Sequence, residues 1–506
     1  MATRAVKLCV DTGSLTSRQA RLLRMHGGGN RQIYNWALGK VNAQQDWICS
    51  AALHHTGGNT VTASLLVRDK RWRATVLKNA PVDLQSVTKA ALSRQFTIEK
   101  ADPNSPLHWW SDGEVNRFAM SSALDALTAA LDRFFKDTGG CRTRPRRKPR
   151  KDGRPHGWPR FKRSHDRADS FALFNLVTSG QDPWRIVGGA HRITVPSIGS
   201  LRVHQNTKRL RRLLQRGGIP KSARFVSAAD RWYVTILVTI PDPTVVRPTR
   251  RQRAAGRVGV DVGVAAAATL STGEKITNPR HTRRIAVKVA RTQRIMARLY
   301  RPGRPQSRAY RRAHDRLRRL QHRAAVQRAG FLHETTKRLA TGWAAVHIED
   351  LNVAGMTASP APKPDPDRDG AFLANGRAAK AGLNTSILDV GFGEFRRQLD
   401  YKTRWYGTQL VIIDRFYPSS KTCSSCGAVN TKLALQDRTY QCPCGLTLDR
   451  DHNAALNLAA YTPPSPADAG RRKTVPVTTP GASPPPTPVE DTEARNGPPV
   501  PYALVR

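Results

Sequence analysis

The sequence has few acidic residues and no long apolar run. Its 506 residues include 37 Asp and Glu against 84 Lys and Arg, which gives a formal charge of +47. A compact chain with this imbalance repels itself unless a polyanion compensates it, and the common polyanions are nucleic acid and anionic membrane surfaces. No apolar stretch approaches the roughly 20 residues of a membrane-spanning helix, and no signal-peptide core is present near the start. We therefore expect no membrane partner and a soluble protein that is not exported.

Cysteine is also scarce, but four of the seven cysteines lie within 22 residues, at Cys423, Cys426, Cys442 and Cys444. Four soft thiolates at this density are typical of a tetrahedral structural zinc site, which leaves no open position for catalysis. The second pair is unusual because only Pro443 separates its cysteines. An iron–sulfur cluster or a redox disulfide remains the alternative.

The positive charge is concentrated in two segments. Residues 142–163 hold 11 Lys or Arg among 22 residues and are interrupted by prolines, which predicts an extended basic arm. Residues 279–340 hold 19 Lys or Arg and two acids, with apolar positions at helical spacing, which predicts two long basic helices joined near 302–305. Solvated helix faces normally mix both signs of charge, so this composition favours phosphate binding.

Hydrophobic periodicity indicates an α/β protein of several domains. Helical spacing covers residues 17–53 and continues to about 136, whereas short alternating runs between 170 and 245 predict an antiparallel barrel or sheet that strand 6–10 could join. Strands predicted at 257–271, 343–348 and 409–413 alternate with helices. Residues 357–370 are predicted to form a mobile loop, and residues 463–506, with 12 prolines, a disordered tail.

Three acidic residues are candidates for a catalytic metal site: Asp261, Glu349 and Asp451. The first two end predicted strands, and the third opens a predicted helix. Each alone has an ordinary explanation, since Asp often caps a helix and acids often follow strands as turn residues. Together they supply the oxygen ligands that a pair of Mg²⁺ ions requires for phosphodiester cleavage. Their neighbours Asp350 and Asp449 rank lower, as a strand-end residue and a turn residue.

Four motifs together resemble those of one known family. They are Gly259-Val-Asp261-Val-Gly263, His347-Ile-Glu349-Asp-Leu351, the run from Arg415 to Gly427 that includes Pro418-Ser-Ser-Lys-Thr-Cys423, and Asp449-Arg-Asp451-His-Asn-Ala-Ala455. They are similar to the split RuvC nuclease of TnpB proteins and of compact type V CRISPR effectors. Segments 31–38, 158–162 with 169–171, and 389–406 also resemble TnpB, so the resemblance extends over most of residues 1–460.

The resemblance implies a bilobed protein in which a wedge β-barrel and a helical recognition module precede an RNase H-like RuvC domain with a zinc-binding insert. The implied divisions are a first wedge strand (1–16), the recognition module with the basic arm (17–165), the wedge barrel (166–250), the first part of the nuclease with a lid loop at 357–370 (251–420), the zinc-bearing target-nucleic-acid-binding insert (421–448), the last part of the nuclease (449–462) and the tail (463–506).

The resemblance also assigns roles and partners. It places Asp261, Glu349 and Asp451 on the family's catalytic acids and the four cysteines on its zinc ligands. The implied activity is Mg²⁺-dependent cleavage of double-stranded DNA directed by a guide RNA, next to a short flanking motif. The resemblance also implies a cytoplasmic bacterial protein that joins the nucleoid when it is bound to DNA.

Several functions stay open at this stage. Added length at about 45–115 in the recognition module favours a CRISPR effector over a transposon-encoded TnpB. A guided binder that silences without cutting is the next class, although the full set of acids argues against it. An architectural nucleic-acid-binding protein would explain the charge but not the acids and cysteines, and a RuvC-like transposase would leave the TnpB-like segments unexplained.

Overall fold

The computed structural model describes residues 2–462 apart from 68, 141–156, 164–168, 175, 178–180, 242–245, 369 and 435. The described residues divide into two compact units, the first ending at residue 241 and the second beginning at residue 246. Most of the predicted basic arm and all of the predicted tail lie outside the described residues.

The first unit combines helices with antiparallel strands. Its helices are α1 Ser17–His55, α2 Thr60–Leu66, α3 Lys70–Lys78, α4 Val82–Gln85, α5 Lys89–Ala101, α6 Arg117–Gly140 and α7 Lys208–Gln215. Helix α1 confirms the helix predicted over 17–53. It begins with a capping box in which Thr16 and Gln19 satisfy each other's backbone N–H groups, and it buries Leu23, Ile33 and Leu38.

The strands of this unit are β1 Ala2–Cys9, β2 Ser170–Phe174, β3 Arg192–Val195, β4 Gly199–Arg202, β5 Ile219–Ala228 and β6 Arg231–Ile240. Four of them form an antiparallel sheet in the order β1-β6-β5-β2, with Val6 opposite Ile236 and Phe171 opposite Phe225. Burial alternates along β6, as expected for a sheet with one face in the core.

The predicted antiparallel sheet is therefore confirmed, but closure into a barrel is not seen in the described part of the chain. Strands β3 and β4 pair with each other as a separate hairpin and reach the sheet through the single bridge between Val10 and Val203. The sheet edges at β1 and β2 are not paired with each other. A closed barrel would require this pairing.

The second unit is built on a mixed five-stranded sheet. The strands of the whole unit are β7 Arg257–Asp261, β8 Ala266–Leu270, β9 Lys275–Thr277, β10 Ala345–Glu349, β11 Lys363–Pro364, β12 Phe372–Leu373, β13 Gln409–Ile413, β14 Thr439–Gln441 and β15 Thr447–Asp449. The sheet order is β13-β10-β7-β8-β9, with β10 parallel to both β7 and β13 and the other pairs antiparallel. Strands β10 and β13 confirm two predicted strands to within two residues.

Helices surround this sheet. They are α8 Arg250–Ala255, α9 His281–Leu299, α10 Arg308–Gly342, α11 Val353–Met356, α12 Arg377–Val390, α13 Phe392–Tyr406 and α14 Arg450–Ala460. Leu332 and Leu339 of α10 and Leu399 of α13 join Val258 and Ile348 of the sheet in one buried core. Helices α9 and α10 confirm the two predicted basic helices, and they pack against each other.

Part of the predicted lid loop is ordered. Residues Lys363–Pro364 pair with Phe372–Leu373 as two short antiparallel strands. Within the ranges described, no helix has the length and apolar character needed to cross a lipid bilayer.

Candidate active site and metal centre

Two of the three candidate acids lie where adjacent parallel strands end. Asp261 is the last residue of β7 and Glu349 is the last residue of β10. Because β7 and β10 run in the same direction and are paired, with Val260 opposite Ile348, the two carboxylates emerge at the same edge of the sheet. Ligand sites of open α/β sheets commonly lie at this edge.

The third acid comes from a distant part of the sequence. Asp451 lies in the first turn of α14, which crosses β7 at Gly259. A Cβ atom at position 259 would lie 2.0 Å from the carbonyl oxygen of Ala455 and 2.5 Å from the amide nitrogen of Ala459. Only glycine permits this close approach of the two backbones.

The three carboxylates affect one another electrostatically. Burial, followed by the negative charges of Asp451 and Glu349, raises the pKa of Asp261 from 3.8 to about 7. Burial also raises the pKa of Glu349, although a hydrogen bond from Ser419 opposes that effect. A buried carboxyl group whose ionisation is disfavoured by neighbouring acids is a frequent property of functional sites.

Asp350 and Asp449, the neighbouring acids that ranked lower as metal ligands, both have basic partners. Asp350 forms ion pairs with Arg415 and Arg396, and the hydrogen bonds in these pairs lower the pKa of its carboxyl group. Asp449 accepts a hydrogen bond of 2.7 Å from Lys275. Burial alone would raise the pKa of Asp449, but this bond and those from backbone N–H groups lower it. These partners favour the lower ranking that the sequence analysis gave to both residues.

Helix capping, the ordinary explanation offered for Asp451, does not apply to it in α14. Asp449 occupies the cap position, and its side chain accepts a hydrogen bond of 3.1 Å from the backbone N–H of His452. Asp451 is therefore not the N-cap, because the cap of the helix lies two residues earlier than the sequence suggested. No ion pair of Asp451 is found with any described residue, so its carboxylate remains available.

Sequence reasoning missed Ser419, which contacts the site directly. Its hydroxyl donates a hydrogen bond of 3.1 Å to Oε1 of Glu349, and the residue is 5% exposed. This bond fixes one carboxylate oxygen of Glu349. The only signal in the sequence was the position of Ser419 inside a family motif, which by itself does not reveal a contact across 70 residues.

The four cysteines converge as predicted. The Sγ atoms of Cys423 and Cys444 lie 3.6 Å apart, as do those of Cys426 and Cys442, and all four lie within 4.8 Å of one another. A Zn–S bond of about 2.3 Å in tetrahedral geometry implies S···S separations of about 3.8 Å. A disulfide would require about 2.05 Å. The four thiols could therefore hold a single zinc ion.

Two tight turns bring the thiols together. The N–H of Gly427 donates to the carbonyl of Cys423, and the N–H of Gly445 donates to the carbonyl of Cys442 at 2.9 Å. Both glycines have positive φ, 76° and 92°. The short Cys442-Pro-Cys444 turn thus closes in the same way as the longer one. Although desolvation opposes ionisation, hydrogen bonds from backbone N–H groups of Cys426 and Ser425 and from neighbouring thiols lower the pKa of Cys423 to about 6.

Two buried asparagines connect the cysteine cluster to the helix of Asp451. Nδ2 of Asn453 donates to the carbonyl of Thr422 at 2.7 Å, and its Oδ1 accepts from the N–H of Ser424 at 3.0 Å. One helical turn further, Nδ2 of Asn457 donates to the carbonyls of Ser419 and Thr422, both at 2.7 Å. Sequence reasoning did not find this connection. Its signal was the i, i+4 spacing of two amides on the apolar face of a helix.

The first turn of helix α9 in the same unit is capped by an acid from α12. Asp389 is 8% exposed and accepts hydrogen bonds of 3.0 Å from the N–H of Thr282 at both carboxylate oxygens. It thereby caps α9 from another helix, since the residue at the N-cap position, Arg280, makes no side-chain cap. The Lys and Arg side chains of α9 are exposed, and no acid lies on this helix.

Two family models match parts of the chain. The model described as "Probable transposase" covers residues 235–359, which include Asp261 and Glu349. The model described as "Cas12f1-like, TNB domain" covers residues 392–458, which include the four cysteines and Asp451.

Curated relatives match over longer stretches. A Mycobacterium tuberculosis protein named as a candidate RNA-guided DNA endonuclease is 30% identical over 460 residues, covering 89% of this chain and 85% of that protein. A similarly named Escherichia coli protein is 31% identical, covering 60% of this chain and 68% of that protein. A Streptomyces pristinaespiralis protein is 38% identical over 232 residues, but the match covers only 50% of its length. TnpB-like proteins of Acanthamoeba polyphaga mimivirus match 16% of the chain at 35% identity.

Among solved structures, a Cas12f1–guide RNA–target DNA complex matches 90% of this chain and 98% of its own protein chain, with 11% identity and a TM-score of 0.43. A CRISPR RNA complex of the Cas12j protein CasPhi-2 covers 90% of this chain with a TM-score of 0.34.

Proposed function

The chain belongs to the TnpB-like family of RNA-guided DNA endonucleases, and on that premise we propose that it cleaves double-stranded DNA selected by a guide RNA. The observation that carries the proposal is the pair of acids at one edge of the five-stranded sheet, together with the electrostatic effect of a third acid on one of them. Asp261 and Glu349 lie together at that edge, and the charge of Asp451 acts on Asp261.

The acids fit a pair of Mg²⁺ ions better than a structural ion-pair network. Asp350 and Asp449 have basic partners, whereas Asp261, Glu349 and Asp451 form no ion pair with any residue that the structure describes. Asp261, Glu349 and Asp451 would hold the metals, which when bound generate the attacking hydroxide and neutralise the leaving oxygen. Other residues of the chain position the metal ligands. Ser419 holds Glu349 through a hydrogen bond, and the cap at Asp449 fixes the first turn of α14, which carries Asp451.

For the finer fold, we propose that the second unit is an RNase H-like RuvC domain. The support is an antiparallel β7-β8-β9 meander extended by parallel strands β10 and β13, with the acids at the carboxyl ends of β7 and β10. We assign the four cysteines to a structural Zn²⁺ because their separations suit one tetrahedral ion. The exposed cations of α9 and α10 would contact the phosphates of a guide–target duplex, which is recognised by shape and backbone. The recognition and wedge assignments of the first unit belong to the same proposal.

The guide can come from a CRISPR array or from a transposon end. The segment that favoured a CRISPR effector forms α2 to α5. The TnpB-like names of the relatives favour the transposon source. A guided binder without cleavage is the third possibility, and the set of acids without basic partners argues against it.

One experiment separates these functions. The protein is co-expressed with its genomic neighbourhood, the co-purifying RNA is sequenced, and the complex is incubated with Mg²⁺ and matched plasmids that carry randomised flanks. We expect one discrete RNA and cutting that depends on the flank. Repeat-derived RNA would identify a CRISPR effector, and RNA from a transposon end would identify a TnpB. Binding without cutting, or the absence of a discrete RNA, would refute the proposed activity.

A further inference from the structure

One aromatic side chain of the second unit, Phe416, is almost fully exposed to solvent. It is 86% exposed, the largest exposed fraction of any bulky apolar side chain in the part of the chain that the structure describes. Single exposed apolar side chains are common on protein surfaces, so exposure alone assigns no role to the ring. The position of Phe416 and the way in which its backbone is held supply the further evidence.

Both ends of the segment that carries Phe416 adjoin Glu349 of the candidate active site. Ile413 lies opposite Glu349 in the parallel pairing of β13 with β10. The hydroxyl of Ser419 donates to Oε1 of Glu349 at 3.1 Å. Phe416 is three residues from each end, and one residue spans at most about 3.6 Å, so its Cα atom lies within about 11 Å of the Cα atoms of Ile413 and Ser419. Phe416 therefore lies at the edge of the sheet that carries Asp261 and Glu349.

The residues next to Phe416 are held by contacts with the rest of the unit. The N–H of Tyr417 donates to the carbonyl of Asp414 at 3.0 Å, which closes a turn around Phe416. Arg415 forms an ion pair with Asp350, and the ring of Tyr417 packs against the buried core of β13 and α14. Phe416 thus projects into solvent from a fixed backbone, so little conformational entropy is lost when its ring binds a ligand.

The surroundings of the ring favour a nucleic-acid base over a protein partner. Asp414 and Arg415, which precede the ring, are exposed and polar, and Tyr417, which follows it, packs into the core. These neighbours do not extend the ring into the apolar patch that marks a protein interface. A phosphodiester held by the nearby acids and their metals has a nucleotide on each side, and every base has a π-face on which an aromatic side chain can stack.

We propose that the ring of Phe416 stacks on a base next to the phosphodiester in the candidate active site, an inference that rests on the proposed function. Bases inside a duplex are stacked on one another and present no face to a side chain. The site therefore takes a strand that is unpaired at the cut, and Phe416 holds this strand without reading its sequence. Because pairing with the guide determines which DNA is bound, the ring acts on the loading of the strand into the site and not on target recognition.

The test measures whether the ring and one base act together. The RNA complex of the full-length chain, in excess, is mixed with matched DNA and Mg²⁺, and single-turnover cleavage rates are measured for strands that are normal or abasic at each nucleotide near the cut. The variants are Phe416→Ala and Phe416→Trp, of which the second keeps an aromatic face. The matched control is Trp184→Ala, which removes a partly exposed aromatic ring from the first unit.

Loss of one base–aromatic stack should slow cleavage about 5- to 150-fold in Phe416→Ala, with target binding unchanged. Phe416→Trp and Trp184→Ala should cut at close to the wild-type rate. In the wild type, an abasic nucleotide at one position should cause a similar loss, and in Phe416→Ala the same lesion should cause no further loss. Losses that multiply at every position, or a Phe416→Ala protein that cuts like the wild type, overturn the inference.

A second readout does not depend on cleavage. With Ca²⁺ in place of Mg²⁺, complexes with matched strands that carry 5-iodouracil at each of the same positions are irradiated, and the crosslinked peptides are identified by mass spectrometry. A crosslink at Phe416 in a complex that never cuts would refute the proposed activity and keep the stacking assignment. Cutting without coupling and without this crosslink would do the reverse, and the absence of both cutting and crosslink would overturn both.

Discussion

We predict that Asp261→Asn stabilises the metal-free protein above about pH 7 and changes its stability little near pH 4, because the raised pKa of Asp261 makes ionisation costly only in the folded state. The carboxyl has a pKa of about 7 in the folded protein and an ordinary value of 3.8 in the unfolded chain. Between these two values unfolding releases a proton, so wild-type stability falls as pH rises through this window and stays low above it. Asparagine keeps the shape of the side chain and removes the charge.

The expected size follows from the shift. About three pH units at 1.36 kcal/mol each amount to about 4 kcal/mol, and partial access of water to the carboxylate reduces this to about 2 to 4 kcal/mol. For a unit of this size, each kcal/mol moves the melting temperature by about 2 to 4 °C. The assay is thermal unfolding in EDTA between about pH 4 and pH 8. Asp414→Asn is the control, because Asp414 is an exposed acid that follows β13 at the same sheet edge.

Mg²⁺ supplies the second arm of this test. Metal bound to the three acids neutralises their repulsion, so adding it should stabilise the wild type more than Asp261→Asn and reduce the difference between them. A stability difference that does not change with pH, or one that Asp414→Asn reproduces, would refute the electrostatic account of the site.

Three further perturbations test the surroundings of the site. Cys423→Ser should release the bound zinc, measured by metal analysis, and impair cleavage more than guide binding, whereas Cys49→Ser in the other unit should do neither. Ser419→Ala removes the hydrogen bond to the neighbouring glutamate, so the Mg²⁺ concentration for half-maximal cleavage should rise about tenfold. Gly259→Ala should destabilise the second unit by at least about 3 kcal/mol in thermal unfolding, because the new Cβ meets the backbone of α14, while Gly393→Ala meets nothing within 4 Å and should be tolerated.

Each of these has a result that contradicts it. Zinc retained after the cysteine change would exclude Cys423 as a ligand, and equal loss of guide binding would mean that the cluster organises more of the fold. An unchanged Mg²⁺ requirement would mean that the serine does not position the glutamate. A stable Gly259→Ala protein would mean that α14 does not depend on close contact with β7.

Local patterns in the sequence predicted the elements that depend on neighbouring residues. The apolar stripe of α1 and the basic helices α9 and α10 follow from spacing within each helix, and the apolar run at Gln409–Ile413 follows from strand composition. The cysteine cluster was also predictable, because its spacing alone limits the chemistry. The closed barrel was not confirmed because closure depends on which strands pair across the unit, and no local pattern records that pairing.

The candidate acids could be found from the sequence, but the reason to prefer them over their neighbours could not. The preference depends on partners far along the chain, such as Lys275 for Asp449 and Arg396 for Asp350. The start of α14 was predicted too late in the sequence for a related reason. Both Asp449 and Asp451 suit an N-cap, and only the path of β15 into α14 decides between them.

The central claim is that Asp261, Glu349 and Asp451 form one cleavage site for guide-matched DNA. Its most direct test is single-turnover cleavage of a matched and a mismatched plasmid by the purified RNA complex with Mg²⁺, comparing the wild type with Asp261→Asn, Glu349→Gln, Asp451→Asn and Asp414→Asn. We predict cutting of the matched plasmid alone, lost in the first three variants with target binding retained, and unchanged in Asp414→Asn. Cleavage that survives in any of the first three would contradict the account.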